Sequence, residues 1–174
     1  SEKKTRLDEV RERFERIDIK PELLDLRRFY NKTPESLLKK LQQYDLIWVR
    51  GGNTFLLRYV MKKSGFDAVI KDALKNGLVY AGESAGALVM GPTLKYIDIV
   101  DDPNVVPEMI WRGIDFVDTV PLPHWGAKKY GNTIKKTYLA LRKDGVKVAK
   151  FSDGEAMLVK DKNWEKVRTN RYWR

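Results

Sequence analysis

LVYAGESAGALVMG, residues 78–91, is the stretch on which the reading of this chain turns. Its first five residues are apolar or small and follow Gly77, the pattern of a buried strand. Gly82-Glu83-Ser84-Ala85-Gly86 comes next, a G-x-S-x-G pattern, and a helix is expected from Ser84 onward. A strand that turns sharply into a helix lifts a serine hydroxyl clear of the sheet. The N–H after such a serine can donate to an oxyanion, and the helix N-terminus adds partial positive charge. The same residues also suit a serine that only caps a helix, between glycines needed for close packing.

Before it, DLIWVR (45–50) is a second β-rich run, and Gly51-Gly52-Asn53 ends it. Structurally this is a strand-to-helix turn with Asn53 as N-cap. Functionally it puts backbone N–H donors at the same sheet edge as Ser84. Two helices follow at 54–63 and 66–76, broken near Ser64-Gly65 and stopped by Gly77. Upstream, residues 5–17 carry Leu7, Val10, Phe14 and Ile17 at helical spacing. ELLDLRRF (22–29) reads as a short strand. TPESLLKKLQQY reads as a helix with Thr33 as N-cap, Pro34 first, and Leu37, Leu38 and Leu41 on one face.

Downstream, residues 92–118 read as irregular, and DTVPLPHW (118–125) as extended. A basic amphipathic helix is expected over 131–143. VKVAKFS and EAMLVKD read as strands flanking the Asp153-Gly154 turn, and NWEKVRTNRYWR shows no pattern. Strands alternating with helices give an α/β fold on a parallel sheet. With no repeat and no linker, 174 residues are expected to form one domain, 1–174. The chain enters on a helix, with no strand before it to start the first unit.

Composition narrows the function classes. A 43% hydrophobic and 33% charged chain reads as soluble, and no apolar run approaches a membrane span of about 20 residues. The charged N-terminus has no apolar core of a secretory signal. The absence of cysteine rules out disulfides, thiolate chemistry and Cys-ligated zinc, and a cytoplasmic location is expected. The net charge of +10 is uneven: residues 1–50 carry +3, 51–125 carry −2 and 126–174 carry +9. No nucleic-acid-binding signature accompanies the basic third, so solubility or non-specific attraction accounts for it and nucleic acid is not the expected partner.

A nucleophilic serine needs a general base. The chain has one histidine, His124, so a serine mechanism must use it. It follows Pro-Leu-Pro at the end of an extended segment, where α/β sheets place functional groups. A single histidine also argues against a histidine-based metal centre, and neither metal nor organic cofactor is expected. The imidazole should be held by a carboxylate. Spacing leaves Glu155, Asp98, Asp101 and Asp102 open, whereas Glu83 should point away from Ser84.

GGNTFLL, GESAGALVMGPT, PLPHW and DGEAM, in that order between about Leu37 and Lys160, resemble the peptidase E family. These are serine peptidases that include aspartyl dipeptidases, with cyanophycinases as relatives. The resemblance implies a three-layer sandwich around a mostly parallel central sheet, similar to class I glutamine amidotransferases. It implies a triad of Ser84, His124 and Glu155, the last because SDGEAM matches the family segment that carries its glutamate. The oxyanion donors would be the N–H groups of Ala85 and of a glycine in Gly51-Gly52, with Gly52 the first choice.

Two departures from the family stand out. Family members start with one or two strands before the helix that opens this chain, so a sheet edge is missing or is presented to a partner such as a second copy. Aspartyl dipeptidases place an arginine downstream of the histidine for the substrate carboxylate, whereas this region reads GAKKYGNTIKK. Lys128, Lys129 or Lys135 would attract an acid there, but lysine lacks the bidentate fork of arginine. The expected function is a serine exopeptidase acting on short peptides, including those with N-terminal Asp. Kept beside it are an ester or β-linked aspartyl polymer as substrate, and an inactive scaffold that binds polyanions through its basic third.

Overall fold

The computed structural model describes residues 6–160 and 163–168. Helices and strands alternate as expected: α1 Arg6–Glu15, α2 Pro34–Leu41, β1 Leu46–Val49, α3 Thr54–Lys63, α4 Phe66–Lys75 and β2 Val79–Gly82. Then come α5 Ala85–Leu88, β3 Val120–Leu122, α6 Gly131–Lys143, β4 Val148–Lys150, β5 Glu155–Lys160 and β6 Asn163–Arg168. β1 pairs with β2 and β3 with β4, both parallel, and β5 pairs antiparallel with β6.

The parallel sheet is divided. β2 and β3 belong to separate ladders, and α5 packs against both. Two cores result. Leu37 and Leu41 of α2, Met61 of α3, and Phe66, Val69 and Ile70 of α4 close over Ile47 and Leu78. Leu88, Leu94, Ile97, Val120, Leu122, Ile134 and Leu141 form the second around β3 and α6. Truncating any fully buried leucine among these to alanine costs about 2–5 kcal/mol. Trp48 turns to the face opposite Ile47, where Phe14 of α1 meets it edge-on at 5.4 Å. That second helical face is thin: Leu46, Trp48 and Val79 remain 37%, 45% and 55% exposed.

Two expectations are corrected, and the length of a third element is now defined. Residues 22–29 form no strand; Leu26–Phe29 is a 3₁₀ turn capped by Asp25, whose Oδ1 accepts the Arg27 N–H at 3.0 Å. A carboxylate that satisfies nearby backbone competes with sheet pairing, and Leu24, Leu26 and Phe29 reach the core without strand alternation. The helix after Ser84 is a single turn, because Val89, Met90 and Gly91 carbonyls turn to the N–H groups of Ile114, Phe116 and Asp115. Residues 163–168, expected to lack pattern, are the strand β6; residues 169–174 lie outside the described residues. No helix among the described residues is long and apolar enough to cross a membrane.

Candidate active site

Ser84 sits between β2 and α5 with φ 55° and ψ −111°, a strained backbone for a residue with a side chain. Such strain costs about 1–3 kcal/mol and persists only where its surroundings enforce it. The flanking glycines permit the turn: a Cβ on Gly82 would strike the carbonyl of Gly86, and one on Gly86 would strike the carbonyl of Val49. Tyr80 Oη donates to the Gly86 carbonyl at 2.6 Å and fastens β2 to the start of α5. Burial raises the Tyr80 phenol well above its ordinary range, so it stays a donor.

The Ser84 hydroxyl makes no N-cap bond to α5. It lies 2.9 Å from Nε2 of His124. His124 follows β3, also with positive φ (61°). The Phe151 N–H donates to the Leu122 carbonyl, and the Trp125 N–H to the Phe151 carbonyl, both at 2.9 Å. This extension of the β3–β4 pairing sets the 151–153 segment beside the histidine.

There, His124 Nδ1 lies 2.7 Å from Oδ1 of Asp153. An ionised carboxylate only accepts hydrogen bonds, so Nδ1 carries the proton and donates it to Asp153. In the neutral ring Nε2 then presents a lone pair to the Ser84 O–H. The His124 side chain is 27% exposed and that of Asp153 is 65% exposed. Tyr130 stacks on the imidazole, centroids 4.9 Å apart at 29°, and covers one ring face.

Glu155, expected as the acid, does not contact His124. Its carboxylate accepts the Ser152 N–H at 2.9 Å and pairs with Lys166 at 3.3 Å and Arg168 at 3.1 Å. The Ser152 N–H is the main cause that lowers its pKa to about 2. Residue 153 leads the β4-to-β5 turn and faces the end of β3, whereas residue 155 begins β5 and faces β6. Asp101 is committed elsewhere, accepting the Thr54 N–H at 2.8 Å and its hydroxyl at 2.5 Å. Asp102 caps a 3₁₀ turn through the Asn104 N–H. Glu83 faces away as expected and accepts from Trp48 Nε1 at 3.3 Å. Asp153 was read from the sequence only as a turn residue. Its signal was position: a carboxylate just past a strand end, beside the strand that ends in the histidine.

Gly51 lies against Ser84; a Cβ there would be 3.0 Å from that of Ser84. Gly52 faces open space. Among the described residues, the N–H groups of Gly51, Gly52 and Ala85 have no protein acceptor, so they are free to meet an anionic oxygen. Asn53 is structural: its Oδ1 accepts the Leu56 N–H at 3.0 Å as the α3 N-cap, and its Nδ2 donates to the Asp102 carbonyl at 2.8 Å. One helical turn gives little dipole, so these free N–H groups carry the anion-stabilising capacity. Lys129 places its Nζ 5.0 Å above the ring of Tyr130, the residue that stacks on His124.

Comparison with known proteins shows what the whole chain is similar to. The model of peptidase family S51 matches residues 1–167. An uncharacterized peptidase of Listeria innocua serovar 6a is 34% identical over 122 residues, covering 70% of this chain and 58% of that protein. Peptidase E of Salmonella newport is 36% identical over 91 residues, covering 51% of this chain and 37% of that protein. The chain thus spans about half the length of the curated relatives it matches. A crystal structure from Listeria monocytogenes EGD-e, assigned to peptidase E, superposes with a TM-score of 0.81 at 27% identity, over 97% of this chain and 81% of that one.

Proposed function

We propose a reaction for this chain, which belongs to peptidase family S51: it is a serine exopeptidase that hydrolyses short peptides through Ser84, His124 and Asp153. The observation that carries the reading is the continuous relay from Ser84 Oγ to His124 at 2.9 Å and from His124 to Asp153 at 2.7 Å. Ser84 Oγ attacks the scissile carbonyl while His124 Nε2 takes its proton. Asp153 holds the ring in the required tautomer and stabilises the imidazolium. The N–H of Ala85 and one from Gly51-Gly52 receive the oxyanion, each worth about 3 kcal/mol of barrier.

Collapse of the tetrahedral intermediate breaks the C–N bond, and His124 gives its proton to the departing amine. Water, deprotonated by His124, then attacks the acyl-serine and restores Ser84. The intact relay weighs against an inert scaffold.

The test is turnover of a dipeptide panel, Asp-X beside Ala-X, Glu-X and Arg-X, with Ser84→Ala as control. Hydrolysis that falls at least about 10³-fold in the variant, with the fold unchanged by circular dichroism, is the expected result. Undiminished turnover by Ser84→Ala overturns the reading. Preference for Asp-X would assign the acid-attracting role to Lys128, Lys129, Lys135 or a group not yet identified.

A further inference from the structure

We infer that Glu155 is a positioning residue: clamped by Lys166 and Arg168 of β6, it locks the Ser152–Glu155 turn and so holds Asp153 against His124. The inference rests on the proposed relay.

The Asp153 side chain bonds to His124 and to no other side chain among the described residues. With 65% of its side chain exposed, packing does little to aim it. Its direction is therefore set by the backbone of the turn it rides on. Glu155 and Ser152 bond to each other in both directions across that turn. The Glu155 N–H donates to the Ser152 carbonyl at 2.9 Å, and the Ser152 N–H donates back to Glu155 Oε2 at 2.9 Å. The second bond depends on where the Glu155 carboxylate is held.

β6 holds it. Arg168 Nε donates to Oε1 at 3.1 Å and Lys166 Nζ to Oε2 at 3.3 Å. Lys166 Nζ also donates to the Lys150 carbonyl at 2.6 Å, at the end of β4. One ammonium therefore joins the strand that leads into the turn to the residue that leaves it. Glu155 is only 11% exposed on an otherwise open hairpin, as expected of a charge kept in place by partners. A displacement of the order of 1 Å in a catalytic group can cost about 10²-fold in rate, so the clamp acts on chemistry and not on stability alone.

His124 is the only histidine, so its imidazole signals in ¹H–¹⁵N NMR need no assignment. The downfield Nδ1–H resonance reports the bond to Asp153. We would record it, with hydrolysis of Asp-Leu and Ala-Leu, for wild type, Glu155→Ala, Glu155→Gln, Lys166→Ala/Arg168→Ala, Asp153→Asn and Asp153→Asn/Glu155→Ala. Glu155→Ala and the double β6 variant are expected to broaden or lose the signal and to lower kcat about 10- to 100-fold with KM nearly unchanged. Glu155→Gln, which can still accept from Ser152, should recover part of both. Glu155→Ala should add nothing in the Asp153→Asn background.

A retained Nδ1–H signal with retained kcat in the folded β6 variant overturns the inference. So does an equal loss from Glu155→Ala with and without the Asp153 carboxylate. Surface lysine and arginine changes keep the test open if Glu155→Ala does not fold. If neither dipeptide is hydrolysed, or Ser84→Ala remains active, the proposed function fails instead; the NMR signal still reads the clamp.

Discussion

His124 Nδ1 stands 2.7 Å from Asp153, two residues short of the glutamate that the family resemblance designated, while that glutamate faces Lys166 and Arg168. The two carboxylates flank Gly154 on one turn, yet they serve different partners because β5 starts at Glu155. Asp153 points along the sheet edge, and Glu155 across the hairpin.

Asp153→Asn should lower kcat by about 10²–10⁴-fold. The amide can donate to Nδ1 and so favours the wrong tautomer, leaving Nε2 protonated and unable to accept from Ser84. Steady-state kinetics on the fastest dipeptide checks this. Unchanged kcat would remove Asp153 from the relay.

Tyr130 touches the imidazole through ring stacking, so Tyr130→Phe should keep kcat within about 2-fold of wild type. Tyr130→Leu should lose about 2- to 10-fold, the worth of an aromatic pair. Equal kinetics for both variants would show that the stack does not orient His124.

Asn53 has both side-chain polar groups committed to structure. Asn53→Ala should cost about 1 kcal/mol of stability through the lost cap of α3. Asn53→Ser, which keeps a cap acceptor, should retain most of the stability and the turnover. A large kcat loss in a stable Asn53→Ser protein would instead place the Asn53 amide at the oxyanion.

Glu155 has its carboxyl lowered from 4.5 to about 2 in the folded chain. A depressed carboxyl stabilises the folded state above its unfolded value and withdraws that stability as pH falls through the folded one. Thermal unfolding midpoints should therefore drop between pH 4.5 and 2. Glu155→Gln should flatten that slope while leaving stability less dependent on pH in the same window. Identical slopes in the two proteins would show that the carboxylate gains nothing from its partners.

Much of the fold was legible because its elements are locally encoded. Thr33-Pro34, Asn53 and Gly77 mark helix ends by their own backbone preferences, and α2, α3, α4 and α6 follow the spacing of their apolar residues. β6 was not legible, since its side chains are mostly charged or aromatic and find partners in β5, Lys150 and Phe151 across the fold. The 3₁₀ turn at Leu26–Phe29 was misread as a strand because Leu and Phe spacing over so few residues does not separate the two.

Local sequence was enough to foresee the turn that carries Ser84 and the imidazole that meets it. Only glycine fits at positions 82 and 86, and a chain with one histidine leaves no other imidazole to choose. Which carboxylate meets His124, the division of the parallel sheet and the partners of Asn53 and Glu155 emerge from tertiary contacts alone. Those depend on which strand ends lie side by side. A carboxylate's partner is set by distances of a few ångströms across the fold, not by its place along the chain.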